Sequence, residues 1–367
     1  MKMSFEDLTK SQPCFFPGAN SSNGFFNGFD WLYKPKNADR FFILKGGPGT
    51  GKSTLMKRIA LAMHRLGQPC ELYYCASDPN SLDAVRFPAI GAAVADGTAP
   101  HVLEPRYLGV SERIVNLGEF LDDRRLQTQK DALIPLYEQN KNLHQRASRY
   151  LAAAGRLLDD SFAADCEMID MEKVEETAER FANQVLPTIG EDGSEIRRFL
   201  SGNTPKGIVF LEDTIPYYVN KIYAIDDEYS GASSVMLSVL RQIALQRGHK
   251  VISCFCALHP NRTIDHLIIP TADVAFCTTN GYLPITVDTE RRIHASRFRN
   301  QVAYGRIKQR LRFNRRACEE LLDGAAGLLL KAKELHDQLE SYYISAMDFS
   351  GMEQLADKIV NDLSERI

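Results

Sequence analysis

One run constrains this chain more than any other feature: Gly46-Gly47-Pro48-Gly49-Thr50-Gly51-Lys52-Ser53-Thr54. Its spacing is G-x-x-x-x-G-K-[ST], and its flanks suit that pattern. Arg40-Phe41-Phe42-Ile43-Leu44-Lys45 reads as a short buried strand, and Leu55 to Met63 as a helix with its apolar residues on one stripe. Glycines let a backbone turn sharply and bring N–H groups against phosphate oxygens. The helix that follows adds the positive end of its dipole. Lys52 is a mobile cation within reach of β- and γ-phosphates, and the Ser53 hydroxyl can ligate a divalent metal.

The run and its strand–loop–helix frame resemble the P-loop NTPase superfamily. The resemblance implies ATP or GTP with Mg²⁺, held by Gly47, Pro48, Gly49, Thr50, Gly51, Lys52, Ser53 and Thr54. Such a site takes a further acid at the end of an apolar strand to order the metal shell. Ile90-Gly91-Ala92-Ala93-Val94-Ala95-Asp96 has that form and makes Asp96 the first candidate; Asp78, closing the strand Glu71 to Cys75, is the second. Lys52, Asp96 and Asp78 are therefore the expected catalytic groups, with Ser53 and Asp96 on the metal. Asp83 reads as a cap or turn residue, and His101 as a loop histidine able to orient water. No glutamate follows Asp96, where many ATPases carry one, which argues against fast turnover; no Asn-Lys-x-Asp reads guanine, so ATP is expected over GTP.

The chain can also be laid on itself at an offset near 180. Cys75-Ala76-Ser77-Asp78-Pro79-Asn80 meets Cys256-Ala257-Leu258-His259-Pro260-Asn261, Asp83 meets Asp265, and Pro88 meets Pro270. Val174 to Asn183 lies on Met352 to Asn361 without gaps. This is a tandem duplication. The glycine loop is answered by Asp226-Asp227-Glu228-Tyr229-Ser230-Gly231-Ala232-Ser233-Ser234, in which Ala232 stands against Lys52 and Thr278 against Asp96. Acids replace glycines, so the second copy keeps the frame without the phosphate chemistry. The paired layout resembles bacterial ATP-binding proteins built from two P-loop copies. Residues 46–54 and Cys75-Ala76-Ser77-Asp78-Pro79-Asn80-Ser81-Leu82-Asp83 carry that likeness.

The expected fold is α/β: tandem P-loop NTPase-like domains, each with a parallel sheet and a long helical appendage. The expected bounds are 1–186 for the working copy (core about 1–122, arm about 123–186), 187–203 for a linker, and 204–367 for the degenerate copy (core about 204–288, arm about 289–367). With 25% charged residues and 44% apolar ones, a normal core needs no metal or disulfide staple. The eight scattered cysteines read as reduced core thiols, and a chain without a signal-like or membrane-spanning run reads as cytoplasmic. Its net charge of −3 leaves a nucleic-acid partner only a local patch. Residues 291–316 offer one: ten Arg and Lys and no acid, able to meet nucleic acid, another anionic partner or the bound nucleotide. Three activities fit: a Mg-dependent ATPase; a small-molecule or nucleotide kinase whose acceptor site uses Asp78 or Asp83 with Arg106 and Arg113; and a nucleotide-gated binding module with little turnover.

Overall fold

A computed structural model describes residues 3–33 and 40–367. In chain order the first half runs α1 (Phe5–Ser11), β1 (Cys14–Phe15), β2 (Gly18–Ser21), β3 (Gly24–Asn27), α2 (Phe29–Leu32), β4 (Arg40–Lys45), α3 (Lys52–Arg65), β5 (Glu71–Tyr74), β6 (Leu82–Phe87), β7 (Ala92–Asp96), β8 (Glu112–Asn116), α4 (Asp123–Gln127), α5 (Lys130–Cys166) and α6 (Met171–Val185). The second half runs β9 (Ser194–Arg198), β10 (Ser201–Thr204), β11 (Gly207–Phe210), α7 (Ile215–Tyr218), β12 (Lys221–Asp226), α8 (Gly231–Gln246), β13 (Lys250–Phe255), β14 (Ile264–Ile269), β15 (Val274–Thr279), β16 (Arg291–His294), α9 (Gln301–Ala346) and α10 (Met352–Ser364).

These elements form two compact units, each discontinuous in sequence. The first comprises Met1–Gly18, Asn27–Ala147 and Ala326–Ile367; the second comprises Ala19–Phe26 and Ser148–Ala325. Each holds a six-stranded sheet. The order is β1-β5-β6-β7-β4-β8 in one and β9-β13-β14-β15-β12-β16 in the other, so the two halves have the same topology. The expected all-parallel sheets are not what forms. β6 runs antiparallel to β5 and β7, and β14 antiparallel to β13 and β15, while the remaining pairs are parallel. The physical reason is the connection: only a few residues separate β5 from β6 and β6 from β7, too few for the crossover that a parallel pair needs.

The helical arms also depart from the expected bounds. α6 buries Val174, Thr177, Ala178, Phe181 and Ala182, a stripe at helical spacing, and packs on α8 of the second unit. α10 packs on α3 of the first unit. Each arm end thus belongs with the sheet of the other sequence copy. The expected linker 187–203 instead supplies β9, the edge strand beside β13, and opens the β10–β11 hairpin. Each unit also takes half of α5 and half of α9. In the first, Ala147 and Leu143 meet Leu328 and Leu329; in the second, Leu151 and Leu158 meet Leu322 and Ala325. All eight cysteines are free thiols. Among the described residues no helix is long and apolar enough to cross a membrane.

Candidate functional site

In the first unit the glycine loop bridges β4 and α3 at the C-terminal edge of the sheet. Apolar burial fixes the frame: Phe41 to Leu44 are buried in β4, and Leu55, Met56, Ile59, Ala60 and Met63 are buried in α3. Gly49 sits at φ +65, the left-handed region that side chains disfavour. Thr50 is buried and its hydroxyl donates to the Gly47 carbonyl at 2.9 Å, which pins the turn. The helix cap, Gly51, offers no side chain to the first-turn N–H groups. That end of α3 is the part of the loop open to an anion.

Lys52 lies along its own loop. Its Nζ donates to the Gly46 carbonyl at 3.0 Å and the Gly47 carbonyl at 2.8 Å, and Asp96 Oδ2 is 3.6 Å away. Asp96 ends β7, where it is the register partner of Leu44. Its Oδ1 accepts from the Thr98 N–H at 2.8 Å. Ser53 Oγ accepts from the Leu82 N–H at 2.9 Å, so one lone pair is already used.

Asp83 joins this group, which its sequence match to Asp265 did not suggest. It is buried on β6, 3.6 Å from His101 Nε2. One donor atom each from Asp83, Asp96 and His101 lie within 4.8 Å of one another, a spacing that could hold a cation. Burial pushes the Asp83 carboxyl up to about 6; His101 opposes that rise and Asp96 adds to it. His101 is itself stacked on Phe29, with ring centroids 5.1 Å apart.

Asp78 is placed otherwise. Its carboxylate accepts from the Asn80 N–H at 3.2 Å and the Ser81 hydroxyl at 2.8 Å, capping the turn after β5. Arg106 pairs with Asp30 and Arg113 reaches Asp362, so neither converges on the loop.

Three neighbours carry no local motif. A Cβ on Gly47 would lie 2.4 Å from the Tyr343 ring, and one on Gly49 would lie 2.8 Å from the Glu340 carbonyl oxygen. The C-terminal half of α9 therefore lies directly on the loop. Glu340 is held below the ordinary carboxylate range, first by a hydrogen bond from His336 and further by the Gly49 N–H. A carboxylate thus stands beside the loop. The Tyr343 and Tyr137 hydroxyls are 2.8 Å apart.

In the second unit the equivalent loop is filled by its own side chains. The burial phase of the helices shifts the sequence overlay by one residue. Met236, Leu237, Leu240 and Ala244 take the places of Leu55, Met56, Ile59 and Met63, so Ser233 rather than Ala232 answers Lys52. Strand register pairs Ile225 with Thr278 as it pairs Leu44 with Asp96, which keeps Thr278 where expected. The Asp227 carboxylate accepts the Ser233 N–H at 2.8 Å. Asp165 stands over Gly231, whose Cβ would lie 2.6 Å from Oδ2. Arg299 donates to Asp165 at 2.6 Å and lies 3.7 Å from Asp227. Burial raises the Asp165 carboxyl to about 6 against the pull of Arg299.

The basic stretch 291–316 lies in this second unit, and part of its charge is met there. Arg292 pairs with Asp226, Arg310 with Asp160, and Arg315 with Glu228.

One family model matches the chain: Nephrocystin 3, N-terminal, over residues 27–86. The matched span holds β4, the glycine loop, α3 and the strands β5 and β6. No curated protein matches, and no solved structure does.

Proposed function

We propose that this chain is a Mg-dependent ATP-binding protein of P-loop NTPase type, with one working site in the first unit and a pseudo-site in the second, and that it hydrolyses ATP. The observation that carries the reading is the convergence at the head of α3. A glycine turn with an uncapped helix N-terminus stands beside a lysine and a strand-end carboxylate 3.6 Å apart. Loop N–H groups and Lys52 would bind the phosphates. Ser53 and Asp96 would hold Mg²⁺, with Asp83 as a further acid beside them; the close Asp83 and Asp96 carboxylates are oxygen donors of the kind a hard cation takes. The metal supplies charge neutralisation at the phosphate oxygens. Asp96 is followed by Gly97, so no adjacent glutamate is in place to activate water, and slow turnover follows.

A second reading, a nucleotide-gated binding module, draws on Glu340 and Tyr343. A triphosphate entering the loop would meet the negative charge of Glu340 and the Tyr343 ring, which lie against Gly49 and Gly47, and so would act on α9 directly. The kinase alternative has no comparable support, because Arg106 and Arg113 are engaged elsewhere.

The test is calorimetric titration of Mg-ATP into the whole chain and into Lys52→Ala. Loss of the charge-assisted contact, about 1.5–3 kcal/mol, weakens binding roughly ten- to hundred-fold while the melting curve stays intact. Equal affinity in the two proteins overturns the proposal.

A further inference from the structure

The degenerate loop of the second unit borders a cavity of about 100 Å³, partly open to solvent. Where the first unit has Gly47, Pro48 and Gly49, Glu228, Tyr229 and Ser230 form one wall. Ser230 holds φ +63 without being glycine, a strained backbone of the kind that collects at binding sites. Leu258, Leu283 and Phe162 give the cavity its mainly apolar surface.

Asp265 is the chemically unusual group in this lining. It is 5% exposed, and its Oδ2 has no hydrogen-bond partner among the described residues. The other acids of the wall already have cations: Arg262 Nη2 lies 2.9 Å from Asp159, and Arg315 lies 3.6 Å from Glu228. His259, beside them, is held below the ordinary histidine range by burial, so it adds little positive charge near neutral pH. Asp265 has the Cys256 thiol as a neighbour and, among the described residues, no ion-pair partner. A buried acceptor left open at the edge of a roomy apolar cavity is costly unless a donor arrives from outside.

We infer that this cavity is a second ligand site, selective for a small organic cation with an apolar or aromatic body, whose amine or amidine nitrogen donates to Asp265. Duplication has kept the position of the pocket and reversed its charge preference: a cradle for anions in one half, an acid-lined pocket for cations in the other. Tyr282 also lines the cavity and offers an aromatic surface to a cationic group.

Benzamidine is the probe, with benzoate as its anionic counterpart of like shape. Both are titrated by calorimetry into the full-length protein with Mg-ATP present, so that the first-unit site is occupied. Benzamidine binds saturably with one equivalent per chain, and benzoate does not. Asp265→Asn weakens benzamidine roughly tenfold or more by removing a charge-assisted bond. Leu322→Trp, at a half-buried lining position with cavity beside it, blocks binding by filling the space and serves if Asp265→Asn does not fold. The inference fails if benzamidine shows no saturable binding, if benzoate binds as tightly, or if a folded form of either variant binds like wild type.

Discussion

Two positions on the glycine loop show how little room one side chain has there. Gly49 lies in the left-handed region, and its added Cβ would meet a backbone oxygen rather than a flexible side-chain end. Gly49→Ala then carries about 1–2 kcal/mol of backbone strain plus the displacement of α9. A lower denaturation midpoint, together with weaker Mg-ATP binding, is the expected result; wild-type stability would contradict the close approach. Glu340 acts in the opposite sense. Its negative charge stands beside the loop where a phosphate would bind, so Glu340→Gln is expected to tighten Mg-ATP binding several-fold. Calorimetry on that variant checks this, and unchanged or weaker affinity would show that Glu340 does not oppose the nucleotide.

At the scale of elements, α6 and the Asp165–Arg299 pair hold the second unit together by different physics. Phe181 projects from α6 against Tyr223 and Phe276, with ring centroids 5.5 and 6.2 Å away. Phe181→Ala empties that contact and should cost about 3–5 kcal/mol in chemical denaturation. The ion pair is buried, so its intact form contributes little net stability, but breaking it strands a charge. Arg299→Ala leaves Asp165 and Asp227 facing each other uncompensated, a loss of about 3–5 kcal/mol. A double Asp165→Asn/Arg299→Met variant should recover much of it. If the double variant is no more stable than Arg299→Ala, the stranded charge is not the cause.

For the whole molecule, the division into units makes the sequence halves poor fragments. Residues 1–186 lack the segment Ala326–Ile367 that completes the first unit, and they carry α6, whose apolar face belongs on α8. Expressed alone, that fragment should be insoluble or molten, and co-expression with 187–367 should rescue it. A cooperatively melting monomeric fragment 1–186 would refute the exchange of arms. Nucleotide stoichiometry is a second global prediction: one Mg-ATP per chain, because the Asp227 carboxylate already takes the Ser233 N–H of the second unit's loop and Asp165 crowds Gly231. Saturation at two equivalents would show that these carboxylates can be displaced. A third concerns pH. Burial raises Asp265 to about 7 from an ordinary value near 3.8, so the folded state binds more protons than the unfolded one between those values. This group's contribution to stability therefore falls as pH rises through that window, by roughly 1.4 kcal/mol per pH unit inside it. Asp265→Asn should flatten the pH dependence of stability between about pH 5 and 7 relative to wild type.

Local chemistry made part of this protein legible in the sequence. The glycine loop, its strand and its helix follow from a motif contained in one short stretch, because the turn needs glycines and the helix needs its apolar stripe. Asp96 was readable as an acid ending an apolar run, and the repeat was readable because both copies keep the same buried positions. The matching strand order of the two sheets has its source there. For Asp78, a strand-end acid and a turn-capping acid look alike until their hydrogen bonds are formed. What the sequence could not specify is which chain-distant surfaces meet. Asp83 and His101 reach Asp96 only because β6 and the loop after β7 fold beside it. Glu340 and Tyr343 reach the loop only because α9 extends into the first unit. The exchange of α6 and α10 between sheets was equally hidden: an amphipathic stripe states that a face will be buried, and the tertiary structure alone decides against what.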